Sequence, residues 1–378
     1  MLDTFKAHLD VLWGFLIALA VVLVLTPAIG SLARILGAID EPGREKRRIH
    51  RQAVPRLGGL AIFLGIIIPA LAFLPLDGPY RGILLGAVLA TTVGLVDDLR
   101  SLPWWGKLLG QFAAAAVPVG FGVALTRFTF PFIGIQDLHD WLSWSVSILW
   151  IVALMNMVNF VDGMDGLAAG ICGISGATFA VIALSLGKPE AAVLSAIVAG
   201  SCFGFLRHNF YPARIFMGDS GAMLLGFTLA TVSIQGLLKT AATVALFFPL
   251  LALAVPIIDT SFVIAKRVKY GHPIYEADAW HLHHRFAAIG FSQRRAVLYL
   301  WSWCAILAGA ALATRFVPFR AHGHWNLWPT VLVSAIAFVA VAASVYIVLV
   351  LEILKLRRIR EWGIWRREAE QRRERRTA

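Results

Sequence analysis

Long apolar runs recur along almost the whole chain and limit its fold more than any other feature. An apolar run of near twenty residues can cross the hydrocarbon core of a bilayer as an α-helix. Eleven such runs occur, at residues 11–30, 57–76, 80–96, 107–125, 142–160, 165–187, 190–206, 219–237, 239–264, 296–314 and 328–352. Because no small-residue cleavage pattern follows the first run, we interpret it as a retained span. The pattern predicts an all-α polytopic membrane protein of about eleven transmembrane helices.

The basic residues segregate when the connections between runs are assigned alternately to two sides. The chain is 59% hydrophobic and 15% charged, with a net charge of +12. One side receives 27 of the 34 lysines and arginines. Because cytoplasmic loops carry an excess of Lys and Arg, this predicts an outside N-terminus and a cytoplasmic C-terminus. The positive charge is then an orientation signal and no nucleic-acid partner is expected. We expect a membrane catalytic domain at 1–352 and a basic cytoplasmic tail at 353–378.

Chemically versatile side chains collect on the predicted cytoplasmic side. Apart from Asp259, no Asp, Glu, Lys or Arg lies well inside an apolar run. Transporters tend to place ionisable groups near the bilayer midplane. The distribution therefore favours an enzyme working at the cytoplasmic membrane face over a transporter of a nucleotide sugar or lipid carrier. A non-catalytic scaffold, the third alternative, would not need polar motifs on one side.

The segment VGLVDDLRSLPWWGKLLGQ joins the third and fourth runs. Asp97 and Asp98 are adjacent carboxylates after an apolar run, and their mutual repulsion requires a cation or a proton. Magnesium binds one or two carboxylates together with phosphate oxygens, so the pair suits a magnesium-diphosphate site. Lys107, at the next helix entry, could meet a phosphate. The alternative is a solvated, polar end to two helices.

Two further motifs add acids on the same side. In NMVNFVDGMDGLAAG, Asn156, Asn159, Asp162 and Asp165 recur every three residues, while the glycines indicate a turn before the sixth run. These amides and carboxylates could bind a base, a ribose or metal-bound water, and capping by Asp165 is the structural alternative. In FMGDSGAMLLG, Asp219 suits either an N-cap or a metal ligand at a helix start.

Histidines and arginines complete the predicted cytoplasmic set. The sequence HLHHR places His281, His283 and His284 beside Arg285, which we interpret as donors to phosphate or sugar oxygens. The alternative is a zinc site, although no Cys lies nearby. The first connection is strongly basic and would attract an anionic nucleotide or lipid phosphate. The chain contains neither GxxxxGK[ST] nor GxGxxG, so an ATP-binding loop and a dinucleotide fold have no support.

These motifs, in this order and on one side, resemble those of the polyprenyl-phosphate N-acetylhexosamine-1-phosphate transferases, a glycosyltransferase family 4-like group. The matching segments run from DEPGREKRRIHRQAVPRLGG to HLHHRF, over residues 40–286. The resemblance implies a cytoplasmic-facing cleft in the bacterial inner membrane. It implies transfer of a sugar-1-phosphate from a UDP-N-acetylhexosamine to undecaprenyl phosphate, with release of UMP. The cofactor implied is Mg²⁺, with Mn²⁺ as an alternative.

The VPRLGG and HLHHR forms are more similar to the N-acetylglucosamine-1-phosphate transferases than to the muramyl-pentapeptide transferases of peptidoglycan synthesis, which remain the alternative. The resemblance implies that three aspartates act in catalysis and hold the metal: Asp97, Asp98 and Asp219. It assigns substrate binding to His50, Arg56, Lys107, Asn159, Asp162, Asp165, His281, His283, His284 and Arg285. One-step displacement and a two-step route through an aspartyl intermediate both stay open, as do a monomer and a homodimer.

Overall fold

A computed structural model of the chain describes residues 2–40, 53–130, 134–238, 253–270, 286, 290–317, 320–321, 324–325 and 327–347. Its helices are α1 Leu2–Ile35, α2 Gly58–Phe73, α3 Gly78–Arg100, α4 Trp104–Gly120, α5 Asp140–Val161, α6 Leu167–Ser185, α7 Pro189–Asn209, α8 Gly218–Val232, α9 Ala254–Tyr270, α10 Gln293–Phe316 and α11 Leu327–Ile347. A π-helix, Ser233–Leu238, continues α8.

The strands are short and pair only as antiparallel couples within the described part of the chain. β1 (Ile39–Asp40) pairs with β2 (Val54–Pro55). β3 (Arg127–Phe130) pairs with β4 (Gly134–Asp137), with Arg127 opposite Asp137. β5 (Arg320–Ala321) pairs with β6 (His324–Trp325). The strands connect helices and form no extended sheet, so the prediction of a mostly helical protein is confirmed.

Seven described helices are long and apolar enough to cross a bilayer: His8–Ile35, Gly78–Arg100, Asp140–Val161, Leu167–Ser185, Pro189–Asn209, Gln293–Phe316 and Leu327–Ile347. Each overlaps one of the predicted spans, so a polytopic membrane protein is confirmed. The second and fourth predicted spans correspond to α2 (16 residues) and α4 (17 residues). Most of the ninth span and the tail at 353–378 lie outside the described residues. The count of eleven and the orientation stay predictions.

Small residues let the helices pack closely. On α7, a Cβ at Gly200 would lie 2.2 Å from the backbone oxygen of Phe15 on α1. On α8, a Cβ at Gly226 would lie 2.5 Å from the backbone oxygen of Leu154 on α5. Phe227 of α8 is fully buried in the same core. Side chains at these glycines would push the helices apart. Gly200 is therefore needed for the close contact of α7 with α1, and Gly226 for that of α8 with α5.

Four neighbouring helices position the polar residues. Contacts join α3 to α4, α4 to α5, and α8 to both α3 and α5. The last turn of α3, the first of α4, the last of α5 and the first of α8 therefore meet at one end of the bundle. The β3–β4 hairpin follows the opposite end of α4. Farther along the bundle, Trp150 Nε1 of α5 donates a hydrogen bond of 2.9 Å to Ser233 Oγ, at the start of the π-helix that continues α8.

Candidate active site

Lys107 joins two carboxylates that are far apart in the sequence. Its Nζ lies 2.9 Å from Asp97 Oδ2 on α3 and 2.9 Å from Asp219 Oδ1 on α8. The side chains of Lys107 and Asp219 are 18% and 22% exposed, so the cluster is largely buried but open to one side. One ammonium thus neutralises part of the charge of two carboxylates and links the ends of α3, α4 and α8.

The carboxylate of Asp97 is fixed in direction by its own chain. After α3 ends, Ser101 has a positive φ of 48°, and the Leu102 amide donates a 2.6 Å hydrogen bond to Asp97 Oδ1. The other oxygen is the one that meets Lys107. The tight turn between α3 and α4 therefore aims one oxygen of Asp97 at the cluster.

Asp98 points in a different direction from its neighbour. Its Oδ1 accepts a hydrogen bond from the Asp219 amide at 2.9 Å, and its Oδ2 accepts from the Ser220 amide at 3.1 Å and from Ser220 Oγ at 2.7 Å. Arg56 Nη2 lies 3.4 Å from Oδ1. Asp98, from another helix, therefore caps the start of α8. The alternative interpretation of Asp219 as the capping side chain was wrong, because Asp219 faces Lys107 instead.

Glycines make this approach of α3 to α8 feasible. Gly218 has a φ of +68°, and a Cβ there would lie 2.4 Å from the Arg56 backbone oxygen and 2.5 Å from Asp98 Oδ2. On α3, a Cβ at Gly94 would lie 2.4 Å from Ser220 Cα. Any larger residue at either position would displace the first turn of α8.

The end of α5 contributes amides and an acid. Asn159 Nδ2 donates to Asp219 Oδ1. One turn earlier, Asn156 forms a reciprocal amide pair with Gln111 of α4, at 2.7 and 3.3 Å. Asp162 follows the last residue of α5, as the predicted turn required. Loss of hydration, together with the negative charges of Asp219, Asp98 and Asp165, raises the pKa of Asp162 well above its ordinary value.

Asp165 takes a different place from the other predicted acids. Its Oδ2 accepts a 2.9 Å hydrogen bond from the Ala213 amide. Asn209 Oδ1 accepts from the Gly166 amide at 3.0 Å, and its Nδ2 donates to the Ile215 backbone oxygen at 2.9 Å. These bonds fasten the turn before α6 to the loop that leads into α8. Asp165 Oδ2 thus has a structural contact with backbone, and its contact with substrate stays a prediction.

The remaining predicted residues divide into one that reaches the site and five whose placement is not described. Arg56 lies beside Asp98, and the amides of Gly58 and Gly59 donate to Phe216 and Met217 backbone oxygens at 2.9 and 2.8 Å. The first connection is thereby tied to the loop before α8. The five others lie outside the described residues: His50, His281, His283, His284 and Arg285.

Sequence reasoning missed three supporting residues. Ser220, Gln111 and Asn209 contact or support the acids, and none was predicted as a site residue. Gln111 lies four residues after Lys107 on α4, so it occupies the same helix face. Asn156 lies three residues before Asn159 on α5. That spacing was a usable signal for Gln111, whereas the contacts of Ser220 and Asn209 depend on tertiary structure.

The donor set suits a hard divalent cation. Asp97, Asp219 and Asp162 offer carboxylate oxygens and Asn159 an amide oxygen, the ligands that Mg²⁺ prefers. Among the described residues, no group of three or more His, Cys, Asp or Glu side chains is arranged to hold a metal ion. Magnesium is commonly held by one or two carboxylates, with phosphate and water oxygens completing the shell. The residues therefore fit a cation that binds together with a phosphate substrate.

The fold and this site define a polytopic membrane protein with a lysine-bridged carboxylate cluster at one end of its bundle. Residues 80–237 match the sequence profile of glycosyl transferase family 4. The chain is 38% identical, over 306 residues, to the probable undecaprenyl-phosphate N-acetylglucosaminyl 1-phosphate transferase of Bacillus subtilis, covering 80% of this chain and 83% of that relative. The chain belongs to glycosyl transferase family 4.

Two other relatives differ in their named substrates. The decaprenyl-phosphate N-acetylglucosaminephosphotransferase of Mycobacterium leprae is 35% identical over 329 residues, which cover 79% of this chain and 82% of the relative. The phospho-N-acetylmuramoyl-pentapeptide-transferase of Desulforudis audaxviator is 34% identical over 328 residues, which cover 79% of this chain and 96% of the relative. All three names describe transferases, and two name N-acetylglucosamine as the sugar.

Proposed function

We propose that the protein transfers N-acetylglucosamine-1-phosphate from a UDP-sugar to undecaprenyl phosphate and releases UMP. The observation that carries the proposal is the Lys107 ammonium held 2.9 Å from both Asp97 and Asp219. Such a partly open cluster of fixed charges suits phosphoryl transfer, which needs positioning and charge neutralisation more than covalent chemistry from the protein. The sugar is proposed from the names of the relatives with 38% and 35% identity.

The reaction balances as one displacement. An oxygen of the lipid phosphate forms a bond to the sugar-bearing phosphorus of the UDP-sugar. The bond from that phosphorus to the bridging oxygen breaks, and UMP leaves with the electron pair. A phosphate monoester, whose second pKa is about 6, is largely dianionic near pH 7 and is a competent nucleophile once it lies in line.

The position of each described residue in the site suggests its role in the reaction. Asp97, aimed by the Leu102 amide, would orient the lipid phosphate and take its remaining proton. Lys107 would donate to diphosphate oxygens, and Asn159 and Asp162 would contact the nucleotide or support the cation. Asp219 and Asp97 would hold Mg²⁺, or Mn²⁺ in its place. When bound, that cation would offset the diphosphate charge and stabilise the leaving UMP.

The test is UMP release by purified protein in detergent micelles. UDP-N-acetylglucosamine, UDP-N-acetylgalactosamine and UDP-N-acetylmuramoyl-pentapeptide are each supplied with undecaprenyl phosphate and Mg²⁺. Release with the first donor, and its loss with a chelator, is expected. Fastest release with the pentapeptide donor would favour the muramoyl alternative, and no release with any donor would refute transferase activity. UMP release without the lipid acceptor would indicate a two-step route.

We further propose that the Lys107 cluster faces the cytoplasm, in a protein of eleven spans. The segregation of Lys and Arg supports this orientation. Cysteine labelling can test it, because Cys172, Cys202 and Cys304 are buried. In spheroplasts, a membrane-impermeant maleimide should label Gln136→Cys on β4 and spare Arg100→Cys beside the cluster. The reverse pattern would overturn the orientation.

The oligomeric state is also open. Measurement of the molar mass of the protein in detergent micelles would decide between a monomer and a homodimer.

A further inference from the structure

We infer that Asp98 is a positioning residue that holds Asp219 in place through the first turn of α8. On this proposal it touches neither the substrate nor the cation. The inference rests on the proposed function for its catalytic meaning, since Asp219 is the residue whose placement matters there. The inference gives different roles to Asp97 and Asp98, two neighbouring aspartates that look equivalent in the sequence.

The acceptor capacity of Asp98 is already used by the protein. A carboxylate has two oxygens and about four lone-pair sites. Asp98 receives four donors: the Asp219 amide, the Ser220 amide, Ser220 Oγ and Arg56 Nη2. Its side chain is 0% exposed. A lipid phosphate or a metal ion would have to displace these donors to reach it.

Asp97 differs from Asp98 in its exposure and in its partners. Its side chain is 10% exposed, its Oδ1 accepts from the Leu102 amide, and its Oδ2 faces the Lys107 ammonium instead of a helix terminus. Consecutive residues on an α-helix point about 100° apart, since a turn takes 3.6 residues. The two acids therefore serve different neighbours: Asp97 faces the Lys107 cluster, and Asp98 faces the backbone of α8.

The geometry around α8 explains why a carboxylate is used there. The first amides of a helix have no partner within the helix, and the helix dipole favours a negative charge at that end. Asp98 satisfies the amides of Asp219 and Ser220 together. Because the Asp219 amide is one of them, any shift of Asp98 moves the backbone that carries the Asp219 carboxylate.

The experiment compares Asp98→Asn with Gly94→Ala in the full-length protein. Asn keeps one acceptor oxygen but turns an NH₂ group toward the Ser220 donors. Alanine at Gly94 alters no acid but pushes on Ser220. Both variants should lower the turnover of UMP release by about 10- to 100-fold, because a small displacement of a catalytic group costs rate of this order. Gly120→Ala, on α4 where a Cβ would meet nothing within 4 Å, is the matched control and should retain wild-type turnover.

A second readout does not depend on activity. Amide hydrogen exchange of the peptide spanning residues 216–224 should be faster in Asp98→Asn and Gly94→Ala than in wild type. It should stay at the wild-type rate in Gly120→Ala. Ser220→Ala removes one hydroxyl donor without adding bulk, and it should give a smaller increase in the same peptide. This variant keeps the inference testable if Gly94→Ala fails to fold.

The outcomes separate this inference from the proposed function. Absence of UMP release by the wild type would refute the function, and the exchange data would still test the hold on α8. Unchanged exchange in Asp98→Asn would overturn the inference. So would a folded Asp98→Asn variant that is as inactive as Asp219→Asn, because a base or a metal ligand predicts that result.

Discussion

Ion pairs of nearly equal length lie at the first turn of α4 and in the β3–β4 hairpin that follows its last turn, in very different surroundings. At one end, Lys107 lies 2.9 Å from Asp97 and Asp219, which come from α3 and α8. At the other, Arg127 Nε lies 2.8 Å from Asp137 Oδ1 within one hairpin, and the two side chains are 57% and 79% exposed. Distance alone does not distinguish them. The difference lies in burial and in whether the partners belong to separate helices.

Removing charge from the Lys107 cluster should have the largest effect. Asp219→Ala and Lys107→Met should each reduce the initial rate of UMP release by about 10³-fold, a typical cost of deleting a preorganised charged group. Methionine keeps most of the length of Lys107 without its charge. A folded variant that keeps the wild-type rate would remove the corresponding residue from the proposed site.

Substitution of the amide pair below the cluster should have an intermediate effect. Gln111→Leu removes the reciprocal partner of the half-buried Asn156 amide, and the loss of these hydrogen bonds costs about 1 kcal/mol of stability. Turnover should also fall, by about tenfold, because Lys107 and Asn159 lie one turn away on the same two helices. Thermal unfolding in detergent measures the first effect. The double variant Gln111→Leu with Asn156→Leu should lose less stability than the sum of the single variants, and strict additivity would contradict the pairing.

Substitution of Asp162 should increase stability while reducing function. A folded-state pKa above the unfolded value of about 3.9 means that stability falls as the pH rises from that value through the folded pKa. Asp162→Asn abolishes this loss and should raise the thermal stability of the protein at pH 7. The gain in thermal stability should shrink as the pH approaches about 4. A gain that is independent of pH would contradict the titration argument.

Removal of the exposed ion pair should have the smallest effect. Exposed pairs contribute about 0–1 kcal/mol, so Arg127→Ala should change stability by less than about 0.5 kcal/mol. UMP release should stay within twofold of wild type, because the hairpin follows the end of α4 that is distant from Lys107. A large loss of activity would show that the two ends are coupled and would undo the contrast between them.

The sequence alone predicted the helical membrane fold and the meeting of its scattered acids. Apolar run length determines membrane helices because the bilayer has a fixed thickness. Asp97, Asp219 and Lys107 do converge, and the turn after α5 lies where Gly163 and Gly166 indicated it. These features depend on the local sequence pattern or on the side of the membrane to which each connection is assigned. Both can be inferred from the amino-acid sequence without tertiary structure.

The directions of the side chains could not be predicted in this way. Nothing in the pair Asp97–Asp98 shows which member faces Lys107, since that depends on the rotation of α3 against α8. The bond from Asp165 to the Ala213 amide joins residues 48 positions apart. Ser220 likewise takes its role from Asp98, 122 positions away. Such contacts follow from packing, to which Gly94 and Gly218 contribute without any motif of their own.

The position of Lys107 has a consequence for the substrate-free state of the protein. Two inward-facing carboxylates would normally need an ion from solution to be tolerated near a membrane. Here the chain supplies one positive charge itself, from the helix that follows one of the acids. The resting protein can therefore be synthesised and inserted with one of the two negative charges already neutralised, before any divalent ion or nucleotide binds.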